Sequence, residues 1–135
     1  MSVTDLSLLN QIKGRLGWLG DRQRVIAQNV ANSDTPGYAA RDLKVPTDFA
    51  AAMNRQNDVR LMATNAAHIV PAGQPVRFDV NRMPDSETTL DGNSVVVEEQ
   101  MLKMAESRMA YDAAIGFYQK SMSMIRMAAR KPGQG

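Results

Sequence analysis

Residues 97–129 read VEEQMLKMAESRMAYDAAIGFYQKSMSMIRMAA, and their spacing decides the fold. Taking Val97, Met101, Met104, Arg108, Tyr111, Ile115, Tyr118, Met122, Ile125 and Ala129 in order, the steps alternate between four and three without a slip. That alternation keeps one stripe on one side of an α-helix, and sustained over several heptads it calls for a partner helix. Only Arg108 interrupts the apolar run. A second seam adjoins the first: Ala110, Ala114, Phe117, Ser121, Met124 and Ala128 repeat the spacing, mostly with small side chains. A helix with two adjoining seams can satisfy one neighbour and still present a face to others, which is the property of a packing element in an assembly.

The partner lies at the other end of the chain. From Thr4 or Asp5 onward, Leu9, Ile12, Leu16, Leu19, Gln23, Ile26 and Val30 alternate three and four, with Gln23 the polar member. Two terminal helices with matching repeats, joined by a middle that lacks one, fold most simply into an antiparallel coiled-coil hairpin. The expected fold is therefore mainly α. Residues 1–31 and 94–131 form one helical domain, around a mostly irregular segment at 32–93 that carries a short helix and a short extended strand.

Gly14, Gly17 and Gly20 bear on the first helix. Each weakens a helix interior by about 1 kcal/mol relative to alanine. Their spacing admits either a close backbone approach along one side or a break in the helix. Trp18 projects nearly opposite the stripe and would be stranded in water in an isolated hairpin. It is expected to contact another chain, the alternative being cover from the middle segment.

Composition sets outer limits. The chain has 135 residues, of which 44% are hydrophobic and 5% aromatic, enough for one modest domain without a large core. Its formal charge of +2 is spread as mildly basic ends around an acidic middle, too weak a bias for nucleic acid. Cysteine is absent, which excludes a disulfide framework, a thiolate metal site and a cysteine nucleophile. Met1 to Asn10 lacks a basic start followed by an apolar block, so no cleaved leader is expected. No stretch approaches the roughly 20 apolar residues of a membrane span, so no direct membrane insertion is expected.

After the first helix comes Asn29-Val30-Ala31-Asn32-Ser33-Asp34-Thr35-Pro36-Gly37-Tyr38. Asn32, Ser33 and Asp34 compete for backbone hydrogen bonds, Pro36 biases Thr35 out of the helical region, and Gly37 permits a turn. The helix must end here. The stretch also resembles the signature of the bacterial flagellar rod and hook axial proteins, in which a helical Asn-x-Ala-Asn leads into Thr-x-Gly-aromatic. Asn29, Ala31, Asn32, Thr35, Gly37 and Tyr38 carry it here, with Pro36 inside it. Ala40-Arg41-Asp42-Leu43 after the tyrosine, and Asp91-Gly92-Asn93 before a helix containing Arg108, Tyr111 and Ala113, resemble the proximal rod members in particular. The similarity covers the first 50 residues and the last 45 or so. Ala39 and Ala40 stand where related proteins often have a longer or charged side chain.

The resemblance implies a structural subunit of a hollow, torque-transmitting rod in the periplasm, exported unfolded by the flagellar type III route. Its implied partners are further copies of itself, other rod proteins of the FlgC type, FliE and the export gate. Asn32 to Tyr38 would then serve as a flexible hinge. A cytoplasmic coiled-coil adaptor is the competing class. It would share the heptads but has no use for the signature at the turn.

The middle segment is less informative. Thr47 to Gln56 reads as a short helix, and Leu61 to Gly73 has no sustained period. Gln74 to Asn81 alternates Val76, Phe78 and Val80, as an extended arm would, pairing near Asp58 to Met62 or with a neighbouring copy. His68 has no second histidine, cysteine or spaced carboxylate beside it, so neither a metal nor a catalytic role is expected. Glu98 and Glu99 complement the start of a helix dipole, as Arg126, Arg130 and Lys131 complement its end. No nucleophile and base combination, phosphate-binding loop or dinucleotide fingerprint occurs, and no enzyme or cofactor is expected. One apolar seam is too little to offset the backbone entropy of its helix. The isolated monomer is therefore expected to have mobile ends that become long helices on assembly, through Leu9, Ile12, Leu16, Leu19, Ile26 and Val30 on one side and Met101, Met104, Tyr111, Ile115, Tyr118, Met122 and Ile125 on the other.

Overall fold

A computed structural model describes residues 3–46 and 77–130. Two long helices dominate it, α1 at Val3–Ala31 and α2 at Val97–Ala129, with two short strands between them, β1 at Arg41–Leu43 and β2 at Val80–Arg82. Asn29 near the end of α1 meets Gln100 near the start of α2, while Trp18 and Leu19 pack with Ala110 and Tyr111 further along. The helices therefore run in opposite directions, as the two heptad repeats require.

α1 runs unbroken through all three glycines. A Cβ placed on Gly17 would sit 4.0 Å from Phe78 Cε2, an ordinary contact, and one on Gly20 would have nothing within 4 Å among the described residues. Gly17 thus faces the arm rather than a second helix backbone. At its C-terminal end, the Asn32 amide donates to both Gln28 O and Asn29 O at 3.1 Å, and the Ser33 amide donates to Val30 O. α2 begins after the extended Val96, has Glu98 and Glu99 in its first turn and Arg126 in its last, and stops where Arg130 becomes extended.

The buried line of α2 is Gln100, Ser107, Ala114 and Ser121, each seven residues from the next. Ala114 and Ser121 come from the small-residue seam, so α2 turns that side toward the core, where small side chains let helices approach. Met104, Tyr111, Ile115, Tyr118, Met122 and Ile125 flank the line half-buried, whereas Met101 is 57% exposed and Arg108 lies in solvent. On α1, Ile12, Leu19 and Ile26 are buried and Leu9, Leu16 and Val30 half-buried.

Trp18, expected on another chain, is only 7% exposed. It joins Leu19, Val25 and Leu43 in one apolar cluster with Phe78, Ala110 and Tyr111 against it, and its Nε1 donates to Lys44 O at 3.1 Å. The cover comes from the strand arm, because β1 and β2 pair with each other. Their antiparallel register is Arg41 opposite Arg82, Asp42 opposite Asn81 and Leu43 opposite Val80. The extended segment thus finds a partner directly after the turn; the partner expected within the chain was Asp58 to Met62. That stretch, the short helix expected at Thr47 to Gln56 and His68 lie outside the described residues.

Candidate functional site

The polar residues at the closed end of the hairpin converge on Asn29, which is fully buried. Its Nδ2 donates to Arg41 O at 2.7 Å and to Gln100 Oε1 at 2.8 Å. Its Oδ1 accepts from the Arg41 amide at 3.0 Å and from the Tyr38 hydroxyl at 3.3 Å. One side chain thus ties α1 to the start of β1, to the turn and to α2. Both amide hydrogens and both carbonyl lone pairs are used, the condition under which a polar side chain can be buried without penalty.

The network continues through Gln100, also 0% exposed, whose Nε2 donates to both carboxylate oxygens of Asp85 at 3.0 and 2.8 Å. Asp85 accepts further hydrogen bonds from Lys103 Nζ at 2.9 Å and from the Val96 amide at 2.9 Å. Burial works to raise the pKa of Asp85. The hydrogen bonds from Gln100, Lys103 and Val96, together with the charge of Lys103, outweigh it and hold the carboxyl below its ordinary value. The Asp85 carboxylate fills part of the role of an N-cap for α2, since Val96 has no capping side chain.

A second set of bonds locks two turns face to face. Asn93 Nδ2 donates to Asn32 O at 2.9 Å and Thr35 O at 2.7 Å, and its Oδ1 accepts from the Val95 amide. The Gly37 amide donates to Asp91 O at 2.9 Å, and the Ser94 amide to Tyr38 O at 3.0 Å. Gly37 and Gly92 have φ of +70° and +82°, and a Cβ on Gly92 would lie 3.4 Å from Gly37 Cα. Both positions need the left-handed backbone region, and Gly92 also needs the space. The Asp91 carboxylate is bonded by the Thr89 hydroxyl and then by the Asn93 amide, which lower its pKa.

Of the signature residues, Asn29, Asn32, Thr35, Gly37 and Tyr38 are thus brought into one clasp, while Ala31 and Pro36 lie exposed at its edge. The segment expected to act as a hinge is a closed turn, fastened at both ends to the residues before α2. The sequence points to Asn93 only as part of Asp91-Gly92-Asn93, and to Asp85 and Gln100 in no functional role. Asn93 was legible as part of a turn, and Gln100 stands seven residues before Ser107, but neither is apolar and a stripe of hydrophobic residues passes over both. Beside the clasp, Arg22 forms a bidentate pair with Asp42, Nε to Oδ1 and Nη2 to Oδ2 at 3.0 Å each, under Trp18 at 5.5 Å from the ring centre. This pair fixes β1 on α1.

Comparison with known proteins adds to this geometry. Residues 20–38 match the family described as "Flagella basal body rod protein", and these are the end of α1 and the first turn of the clasp. The chain is 35% identical over 100 residues to the flagellar basal body rod protein FlgB of Escherichia coli K12, an alignment covering 70% of this chain and 72% of that protein. The chain belongs to the FlgB family of flagellar basal body rod proteins. FlgB of Proteus mirabilis is 29% identical over 121 residues, covering 83% of this chain and 85% of the relative. FlgB of Agrobacterium fabrum is 28% identical over 134 residues, covering 96% and 98%. In the FlgB frame the clasp is the structural centre of the subunit: it joins the signature turn to the root of the second helix.

Proposed function

We infer that the chain is a structural subunit of the flagellar basal body rod and that it works by helix packing rather than by chemistry. The observation that carries this reading is the clasped hairpin itself. The family's signature residues fasten the two helices at one end, and α2 keeps Leu102, Met109 and Met127 exposed on its outer side, with Met101, Phe117 and Met124 exposed on its flanks. A helix that has filled one seam and holds a second row of apolar side chains in water is built for further neighbours. In this reading the subunits stack side by side into a hollow shaft that transmits torque across the periplasm, in the proximal part of the rod. Family membership supports the neighbours proposed from the sequence: further copies, a FlgC-type rod protein, FliE and the export gate. Among the described residues no helix is long and apolar enough to cross a membrane.

The test is complementation followed by microscopy. A strain lacking its own proximal rod subunit and supplied with this chain should regain basal bodies with rods and should swim. Basal bodies that stop at the base, together with a purified protein that forms only compact dimers at high concentration, would overturn the rod assignment.

A further inference from the structure

Arg41 and Arg82 stand directly opposite each other in the β1–β2 ladder. Directly opposed residues of an antiparallel pair send their side chains to the same side, where like charges weaken the pairing. Both arginines are exposed, and among the described residues no carboxylate lies within ion-pair distance of either guanidinium. Arg41 lies over the Tyr38 ring, 5.8 Å from its centre, which holds it beside the clasp. By the same alternation the exposed Val45 and Val80 lie on the side of Arg41 and Arg82, while Lys44, Arg77, Asp79 and Met83 fall on the other. Among the described residues no carboxylate forms an ion pair with this mixed surface of cations and apolar side chains.

A counterpart exists elsewhere on the same chain. The solvent side of the first half of α2 carries Glu98, Leu102, Glu106, Met109 and Asp112, which fall within about a third of the helix circumference at 100° per residue. Leu102 and Met109 are 62% and 68% exposed, and the three carboxylates are exposed and form no ion pair among the described residues. One surface interleaves cations with apolar groups and the other interleaves anions with apolar groups. We propose that the β1–β2 arm of one subunit docks on the outer face of α2 of a second copy, with Arg41 and Arg82 taking carboxylates among Glu98, Glu106 and Asp112. The contact joins two different surfaces, so it propagates into an open polymer instead of closing a dimer. It rests on the rod reading and specifies which surfaces meet.

Charge reversal of the full chain tests the contact. R41E/R82E makes both surfaces acidic, and E98K/E106K/D112K makes both basic. Each variant alone should raise the protein concentration needed for sedimentable polymer about tenfold or more. An equimolar mixture of the two should restore polymer at the unaltered concentration, because each now offers the other an opposite charge at both surfaces. A single chain carrying all five substitutions should do the same, which shows that the substituted chain folds. Polymerisation that neither reversal affects, or loss that neither the mixture nor the fivefold variant repairs, overturns the arm contact while leaving the rod reading in place. An unaltered chain that neither polymerises nor restores rods overturns both.

Discussion

Replacing Asn29 by alanine tests whether the clasp holds the hairpin. The substitution deletes the hydrogen bonds to Gln100 Oε1 and Arg41 O and removes the acceptor used by Tyr38 and the Arg41 amide. A typical hydrogen bond contributes about 0.5–1.5 kcal/mol net, and a buried polar atom left without a partner costs about 1–3 kcal/mol. Gln100 is fully buried, so its Oε1 cannot turn to water for compensation. The expected loss is about 3–5 kcal/mol, a large part of the roughly 5–15 kcal/mol that holds an ordinary domain together. Urea unfolding followed by far-UV circular dichroism should therefore show a lower midpoint at an unchanged slope. Gln100→Met removes the same inter-helix bond from the other side, so the double variant should be less destabilised than the two singles added, by about 1–2 kcal/mol. A loss below about 1 kcal/mol for Asn29→Ala, or strictly additive singles, would refute the central place given to this side chain.

The remaining expectations follow from other parts of the structure. Gly92→Ala puts a Cβ 3.4 Å from Gly37 Cα at a φ of +82° and should destabilise the turn by at least about 1–2 kcal/mol; Gly37→Val, at φ +70°, should reduce incorporation into rods, read as smaller swimming halos in soft agar. Asp85 has its pKa lowered in the fold, so its stabilising contribution is complete above the unfolded value near ~3.9 and is lost as pH falls through the folded value. Acid unfolding of the unaltered chain should accordingly show a stability loss below about pH 4 that Asp85→Asn flattens. The Ser107 hydroxyl is buried without a hydrogen-bond partner among the described residues, so Ser107→Ala should stabilise the protein by about 0.5–1.5 kcal/mol in thermal melts, and destabilisation would show that the hydroxyl is satisfied in solution. In a dilute monomer, hydrogen exchange should be slowest around Ile26 to Asn29 and at Gln100, and fastest toward Val3 and Ala129, where the exposed Leu8, Met124 and Met127 lie; uniform protection along both helices would remove the expectation of mobile ends.

How far the fold could be read depended on which side chains made the contacts. Both long helices, their opposed direction and the sharp stop after Asn29 follow from apolar spacing and turn chemistry, because those signals are local. The face that α2 turns inward was less legible. Its buried line of Gln100, Ser107, Ala114 and Ser121 contains one apolar residue, and a stripe drawn through the largest hydrophobic groups falls to one side of it. Trp18 was misplaced because its cover comes from Leu43 and Phe78, residues far along the chain whose pairing no local pattern announces. Asp85 carries no periodic or motif signal, yet its carboxylate is the hub to which Gln100, Lys103 and the Val96 amide all donate. The signature residues from Asn29 to Tyr38 bond to groups at Gln100, Asp91 and Asn93, more than fifty residues further along, and no local pattern connects the two stretches.

Small residues at seven-residue intervals explain why the clasp is polar. A line of Ser107, Ala114 and Ser121 lets two helices approach, but sliding one past the other by a heptad exchanges one small group for another and costs little in packing. Apolar contacts alone would leave the register weakly fixed. Asn29 and Gln100 remove that freedom, because a slip parts the Nδ2 to Oε1 bond and leaves a buried amide N–H without that acceptor and a buried amide oxygen without that donor. A buried polar pair of this kind specifies one alignment more than it adds stability, a use well attested for single asparagines in coiled coils. In a rod subunit the consequence reaches the assembly: a one-heptad slip moves every outward residue of α2 by about 10 Å relative to α1 and the arm. Surfaces that must meet a neighbour along a repeating lattice tolerate no such displacement, so the polar end of the hairpin sets where the apolar face is presented.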